Sequence, residues 1–119
     1  MNEIKLPDSE LKVMVYLWDQ DGASAREAAV YMDREYGWKK NTTYTVLKNL
    51  QAKGVIERLE PGFHCMPLIE REQVGRVETK NLVDRFYQGS ISALFSAFLK
   101  DQSLSAQELE ALRHLIDKA

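Results

Sequence analysis

The strongest constraint on this chain is a change of hydrophobic period. Between residues 8 and 53 apolar side chains recur at helical spacing in three blocks; from Val55 to Ile69 they alternate as in strands. Leu11, Met14, Leu17 and Trp18 define the buried face of the first block, with Asp8 expected as its cap and Asp21-Gly22 as its stop. Ser24-Ala25-Arg26-Glu27 reads as a capping box, in which Ser24 accepts from the Glu27 amide while Glu27 reaches back. The helix it opens runs through Ala28, Ala29 and Met32 to about Tyr36, and Gly37 ends it. A third helix is expected from about Asn41 or Thr42 to Lys53, stopped by Gly54, with Val46, Leu47 and Leu50 inward. Thr42, Thr45, Lys48 and Asn49 fall largely on its other faces, Tyr44 lies near the boundary, and Thr45 is open to partial burial. Val55–Leu59 and Phe63–Ile69, joined by Glu60-Pro61-Gly62, read as a hairpin, with Pro67 marking an edge or the end of pairing.

Three helices followed by a hairpin, over about 70 residues, is the order of a winged helix-turn-helix. Beyond it the pattern is helical again. Val74, Val77, Leu82 and Phe86 share a drifting stripe, Gly89 breaks it, and Ser90 can cap a short apolar helix. Asp101–Ser103 is a loop, and Ser105-Ala106-Gln107-Glu108 is a second capping box before a last helix with Leu109, Leu112, Leu115 and Ile116 inward. The expected fold is therefore mainly α: a winged helix-turn-helix domain with a small β-hairpin wing over 1–70, then a C-terminal helical dimerisation domain over 71–119. About 50 residues make a thin core, yet this tail carries Phe86, Tyr87, Ile91, Leu94, Phe95, Phe98 and Leu99. Burial against a second copy about a two-fold axis is the economical solution, and packing back on the N-terminal domain is the alternative.

The chain has 119 residues and a net charge of −2, which at first argues against nucleic acid as a partner. The charge is unevenly placed. Residues 1–33 hold three cations against seven carboxylates, residues 34–58 six against two, and residues 59–119 seven against nine. A basic element on a neutral body is a possible electrostatic footprint for DNA, or a solvated helix face. One cysteine excludes an internal disulfide framework and a four-cysteine zinc site, so a reducing, cytoplasmic setting is the natural expectation. No stretch approaches the roughly 20 apolar residues of a membrane span, and the first residues, MNEIKLPDSELKV, lack the pattern of a secretion signal.

The third helix carries Asn41, Thr42, Thr43, Tyr44, Thr45, Lys48 and Asn49, which donate to phosphate oxygens or base edges, rather than carboxylates. Asn41, Thr42 and Thr45 are candidates for base-edge or backbone contact, and Lys39, Lys40 and Lys48 for phosphate contact. The wing supplies Arg58 and His64, but its Glu60 would repel phosphate, so a small contribution is expected from it.

Four segments, LPDSELKVMVYLW at 6–18, GWKKNTTYTVLKNLQAKGVIER at 37–58, DRFYQGS at 84–90 and LSAQELEALRHLI at 104–116, carry a resemblance over nearly the whole chain. The most specific part is Trp38, Thr42, Thr45, Leu47, Leu50, Lys53 and Gly54 at their mutual spacing. In these the chain resembles the penicillinase repressor family, of the BlaI/MecI/CopY type. The resemblance implies a winged helix domain with a helical dimerisation domain. It also implies repression through inverted repeats of double-stranded operator DNA with TACA and TGTA cores. In β-lactam-responsive members it further implies induction by a membrane sensor-protease that cuts an Asn-Phe bond. The matching pair here is Ala97-Phe98, which keeps the Phe and lacks the Asn. The Cys-x-Cys pairs of copper-responsive members are absent from LRHLIDKA at the C-terminus, and the family's Lys before the first Thr is Asn41.

Two other readings stand beside the dimeric repressor. A winged helix can serve as a protein-interaction module, since fold alone does not decide function. A repressor could also sense its signal at Cys65, beside His64, although a small half-buried strand residue is the plainer account. Catalysis is not expected: only His64 and His114 are available, there is no Gly-rich phosphate loop, and no metal-ligand spacing or cofactor motif is present.

Overall fold

A computed structural model describes residues 4–119, so the first three residues of the segment read as lacking a secretion signal lie outside it. The described residues form α1 (Asp8–Gln20), β1 (Ala23–Ser24), α2 (Ala25–Tyr36), α3 (Lys40–Ala52), β2 (Ile56–Leu59), β3 (His64–Pro67), α4 (Arg71–Phe86), α5 (Ile91–Lys100) and α6 (Ala106–Lys118). They divide into two compact units, one ending at Val77 and one running Glu78–Ala119.

In the first unit, α1, α2 and α3 close on one core. Val13, Met14 and Leu17 come from α1, Ala25, Ala28 and Met32 from α2, and Val46, Leu47 and Leu50 from α3. Val55, Ile56 and Cys65 seal it from the sheet side and Val74 from the first turns of α4. The sheet order is β1-β3-β2, all antiparallel. The hairpin is therefore present, with Arg58 facing Cys65 and Leu59 facing His64. Its second strand is central rather than an edge, because Ala23 and Ser24 pair with Cys65 and His64. Pro67 marks the end of pairing, opposite Ile56, where a missing N–H breaks no ladder.

The Ser24 capping box forms as expected: Ser24 Oγ accepts from the Glu27 amide at 3.0 Å, and Glu27 Oε1 accepts from the Ser24 amide at 2.9 Å. α1 differs at its start. Pro7 holds the cap position and Asp8 is the first helical residue, so Asp8 acts on the helix dipole and pairs with Lys12 instead of capping. α3 begins at Lys40, slightly before the expected start, because Lys39 is already extended and its carbonyl accepts from Thr42 at 3.0 Å. Asp21 and Gly22 both take positive φ, and a Cβ at Gly22 would lie 2.2 Å from Met66 Sδ.

The second unit holds the end of α4 with α5 and α6. Ser90 caps α5 through the Ala93 amide at 3.1 Å, and Ser105 and Glu108 form the second capping box. No residue of α5 or α6 is buried. Val83 is buried in α4, one position beyond Leu82, which is exposed like Phe86. Leu109, Leu115 and Ile116, read from sequence as inward, are exposed in the single chain, and Leu112 is half-buried. The unit has too few residues to cover its own apolar face. Among the described residues no helix is long and apolar enough to cross a membrane.

Candidate nucleic-acid interface

α3 is sharply two-sided. Thr43, Val46, Leu47 and Leu50, spaced i, i+3, i+4 and i+7, are buried. Asn41, Thr42, Thr45, Lys48 and Asn49 are exposed, as are Lys39 and Lys40 at its start. Asn41, Thr42, Thr45 and Lys48 thus share the outward side of one helix, with Thr45 outside the core, while Lys39 is its cap residue and Arg58 stands apart on β2. Thr43 is the exception among the possible donors. Its hydroxyl points inward and, among the described residues, has no hydrogen-bond partner.

The N-terminal end of α3 is electropositive for two reasons. Its first turn has no acidic residue and no side-chain cap, so backbone amides and the positive end of the helix dipole face outward. Lys39 and Lys40 add their charge there, and Lys48 stands about two turns further along the helix.

The rest of the basic segment is committed elsewhere. Lys53 donates to Glu10 Oε1 at 2.5 Å and to the Lys5 carbonyl at 3.0 Å, at the far end of α3. Arg34 lies 3.7 Å from Glu35. Arg58 donates through Nε to the Glu60 carboxylate, whose other oxygen accepts from the Phe63 amide at 3.3 Å. The Arg58 hydrogen bond, then the Phe63 amide, holds the Glu60 carboxyl below its usual range.

Sequence reasoning missed Phe63. It adopts φ 50°, rare for a bulky side chain, and its carbonyl accepts from the Ala25 amide at 2.9 Å. Its ring meets Tyr44 edge-on at 5.8 Å, and the Arg58 guanidinium lies 3.8 Å from its centre. On the other side Lys40 Nζ is 5.6 Å from the Tyr44 ring centre. A continuous row therefore runs from the start of α3 to the wing: Lys40, Tyr44, Phe63, Arg58. The signal available beforehand was an aromatic beside the glycine of the turn.

His64 is half-buried in β3. Cys65, next to it, is fully buried, and burial pushes its thiol up to about 11. The nucleophilic thiolate is thereby suppressed near neutrality. Among the described residues no cluster of His, Cys, Asp and Glu could hold a metal.

Three helices, a short three-stranded sheet and an outward polar face on the third helix define a winged helix-turn-helix protein. The chain matches the penicillinase repressor family over residues 6–118, and it belongs to that family. It is 27% identical over 116 residues to the methicillin resistance regulatory protein MecI of Staphylococcus aureus strain N315, covering 96% of this chain and 94% of that protein. It is 25% identical to the penicillinase repressor of Bacillus licheniformis, covering 96% and 91%. The solution structure of the DNA binding domain of the repressor BlaI superposes with a TM-score of 0.56 at 26% identity, over 61% of this chain and 93% of that one.

Proposed function

We propose that this protein is a transcriptional repressor that binds an inverted-repeat operator in double-stranded DNA as a homodimer. The observation that carries the reading is the outward face of α3. Asn41, Thr42 and Thr45 stand exposed where a recognition helix meets base edges, and Lys39, Lys40 and Lys48 flank them without a carboxylate in the first turn. Family membership and the likeness to the BlaI DNA binding domain support it.

Dimerisation is assigned to the region from residue 71, through Phe86, Tyr87, Ile91, Leu94, Phe95, Phe98 and Leu99. Most of these are exposed in the single chain, and Phe95 and Leu99 line an open apolar groove of about 520 Å³ with Leu109, Leu112 and Ile116. A second copy would cover such a surface and set two α3 helices against successive major grooves, about 34 Å apart. The setting is cytoplasmic. If a membrane sensor-protease induces the protein, it acts on a chain that has Ala97-Phe98 at the matching bond.

The test is a gel-shift titration on a TACA/TGTA inverted repeat beside a scrambled duplex, with mass measured by light scattering. The expected result is a dimer that prefers the repeat at physiological salt. Three lysines in each of two subunits give a slope of log affinity against log salt near −5 (about −0.9 for each phosphate neutralised). Equal affinity for both duplexes would refute the reading, and absence of DNA binding even at low salt would favour a protein-interaction module.

A further inference from the structure

We propose that Glu60 is an internal stand-in for a DNA phosphate: it occupies the Arg58 guanidinium in the free protein and so sets how much the wing contributes to operator affinity. The proposal rests on the DNA-binding reading above and concerns a residue for which simple charge repulsion was the expectation.

Three observations point to it. A guanidinium pairs with carboxylate and phosphate oxygens alike, so a phosphate oxygen can take the place of the Glu60 oxygen that Arg58 Nε holds. The Glu60 carboxylate is fixed from two sides, by Arg58 and by the Phe63 amide. Arg58 is in turn positioned by its 3.8 Å contact with the Phe63 ring, which Tyr44 of α3 meets edge-on. The row from Lys40 to Arg58 thus links the guanidinium, through two aromatic rings, to the first residue of α3. Both partners remain solvent-accessible, with side chains 41% and 57% exposed, so a phosphate can approach and the exchange is not blocked by burial.

The exchange has a thermodynamic signature that repulsion lacks. When Glu60 holds Arg58, removing Arg58 from the wild type costs little DNA affinity. When Glu60 is neutralised, Arg58 is free to pair with phosphate, and removing it then costs much more. Repulsion alone makes the two charges act independently, so the effect of removing Arg58 would be the same in both backgrounds.

The experiment is a double-mutant cycle of the full chain on operator DNA with Glu60→Gln, Arg58→Ala and the combination, each titrated at several salt concentrations. Glu60→Gln is expected to tighten binding about tenfold at ~0.1 M salt, two wings each gaining at surface-pair strength. It is also expected to steepen the salt slope by about 1.8, one further phosphate per subunit. Arg58→Ala is expected to weaken the Glu60→Gln protein at least about fivefold more than it weakens the wild type, and to restore the shallower slope. Equal effects of Arg58→Ala in the two backgrounds overturn the proposal while leaving specific DNA binding intact. A wild type that does not prefer the operator overturns the DNA-binding reading, and this proposal with it.

Discussion

Lys53, just beyond the last turn of α3, donates to the carboxylate of Glu10 in the first turn of α1 at 2.5 Å. Glu10 is almost fully buried, while Lys53 keeps part of its surface in water. The pair fixes the far end of α3 to the body of the domain and is spent on the fold. Lys53→Ala leaves a buried carboxylate without its cation, and a loss of about 1–2 kcal/mol is expected, reduced from the fully buried case by the exposure of Lys53. Urea unfolding measures it. The double variant Glu10→Leu with Lys53→Leu should be more stable than Lys53→Ala alone, because it strands no charge.

Gly22 tests backbone against packing. Its φ is +95°, and an added Cβ would meet Met66 Sδ. Gly22→Ala is expected to cost about 1 kcal/mol or more. Shortening the neighbour by Met66→Ala removes the side-chain collision and leaves the positive φ together with a 3.2 Å approach to the Cys65 carbonyl. The same Gly22→Ala substitution in that background should therefore still cost about 1 kcal/mol. Full recovery would place the whole effect in the side-chain contact.

Cys65 makes stability fall with alkali. A thiol ordinarily titrates near 9, and burial pushes this one up to about 11. Below pH 9 it is protonated in both folded and unfolded chains. As pH rises from 9 to 11 the unfolded chain releases its proton first, so the folded state loses stability across that window. Urea midpoints at pH 8 and pH 10.5 should drop further for wild type than for Cys65→Ala. Equal drops would mean that the thiol contributes nothing to the pH dependence.

The Ser24 cap is worth a direct measurement, because it sits where β1 passes into α2. Ser24→Ala removes the acceptor for the Glu27 amide and should cost about 1 kcal/mol in chemical denaturation, whereas Ser24→Thr should retain most of the stability.

Much of the fold was legible in local chemistry. Both capping boxes, the stops at Gly37 and Gly54, the hairpin and the capping of α5 by Ser90 rest on residues a few positions apart, and each formed. β1 was not legible: two residues become a strand because Cys65 and His64, some forty positions later, offer a free edge. Within α3, Thr43 completes the i, i+3, i+4, i+7 series of Val46, Leu47 and Leu50, so helical phase decides its burial over its polarity. The outward face carrying Asn41, Thr42 and Thr45 was readable by the same phase. The partners of the basic residues were not, since Glu10 and Lys53 lie 43 positions apart and the Arg58–Glu60 pair depends on the turn between the strands.

The two residues of β1 have a larger effect than their length suggests. They stitch the hairpin to the start of α2, and the Ala25 amide adds a bond to the Phe63 carbonyl at the tip side. The wing is therefore ordered when the domain folds, not when it meets a duplex. Its chain entropy is surrendered at folding, so under the DNA-binding reading proposed above docking would lose little conformational freedom there.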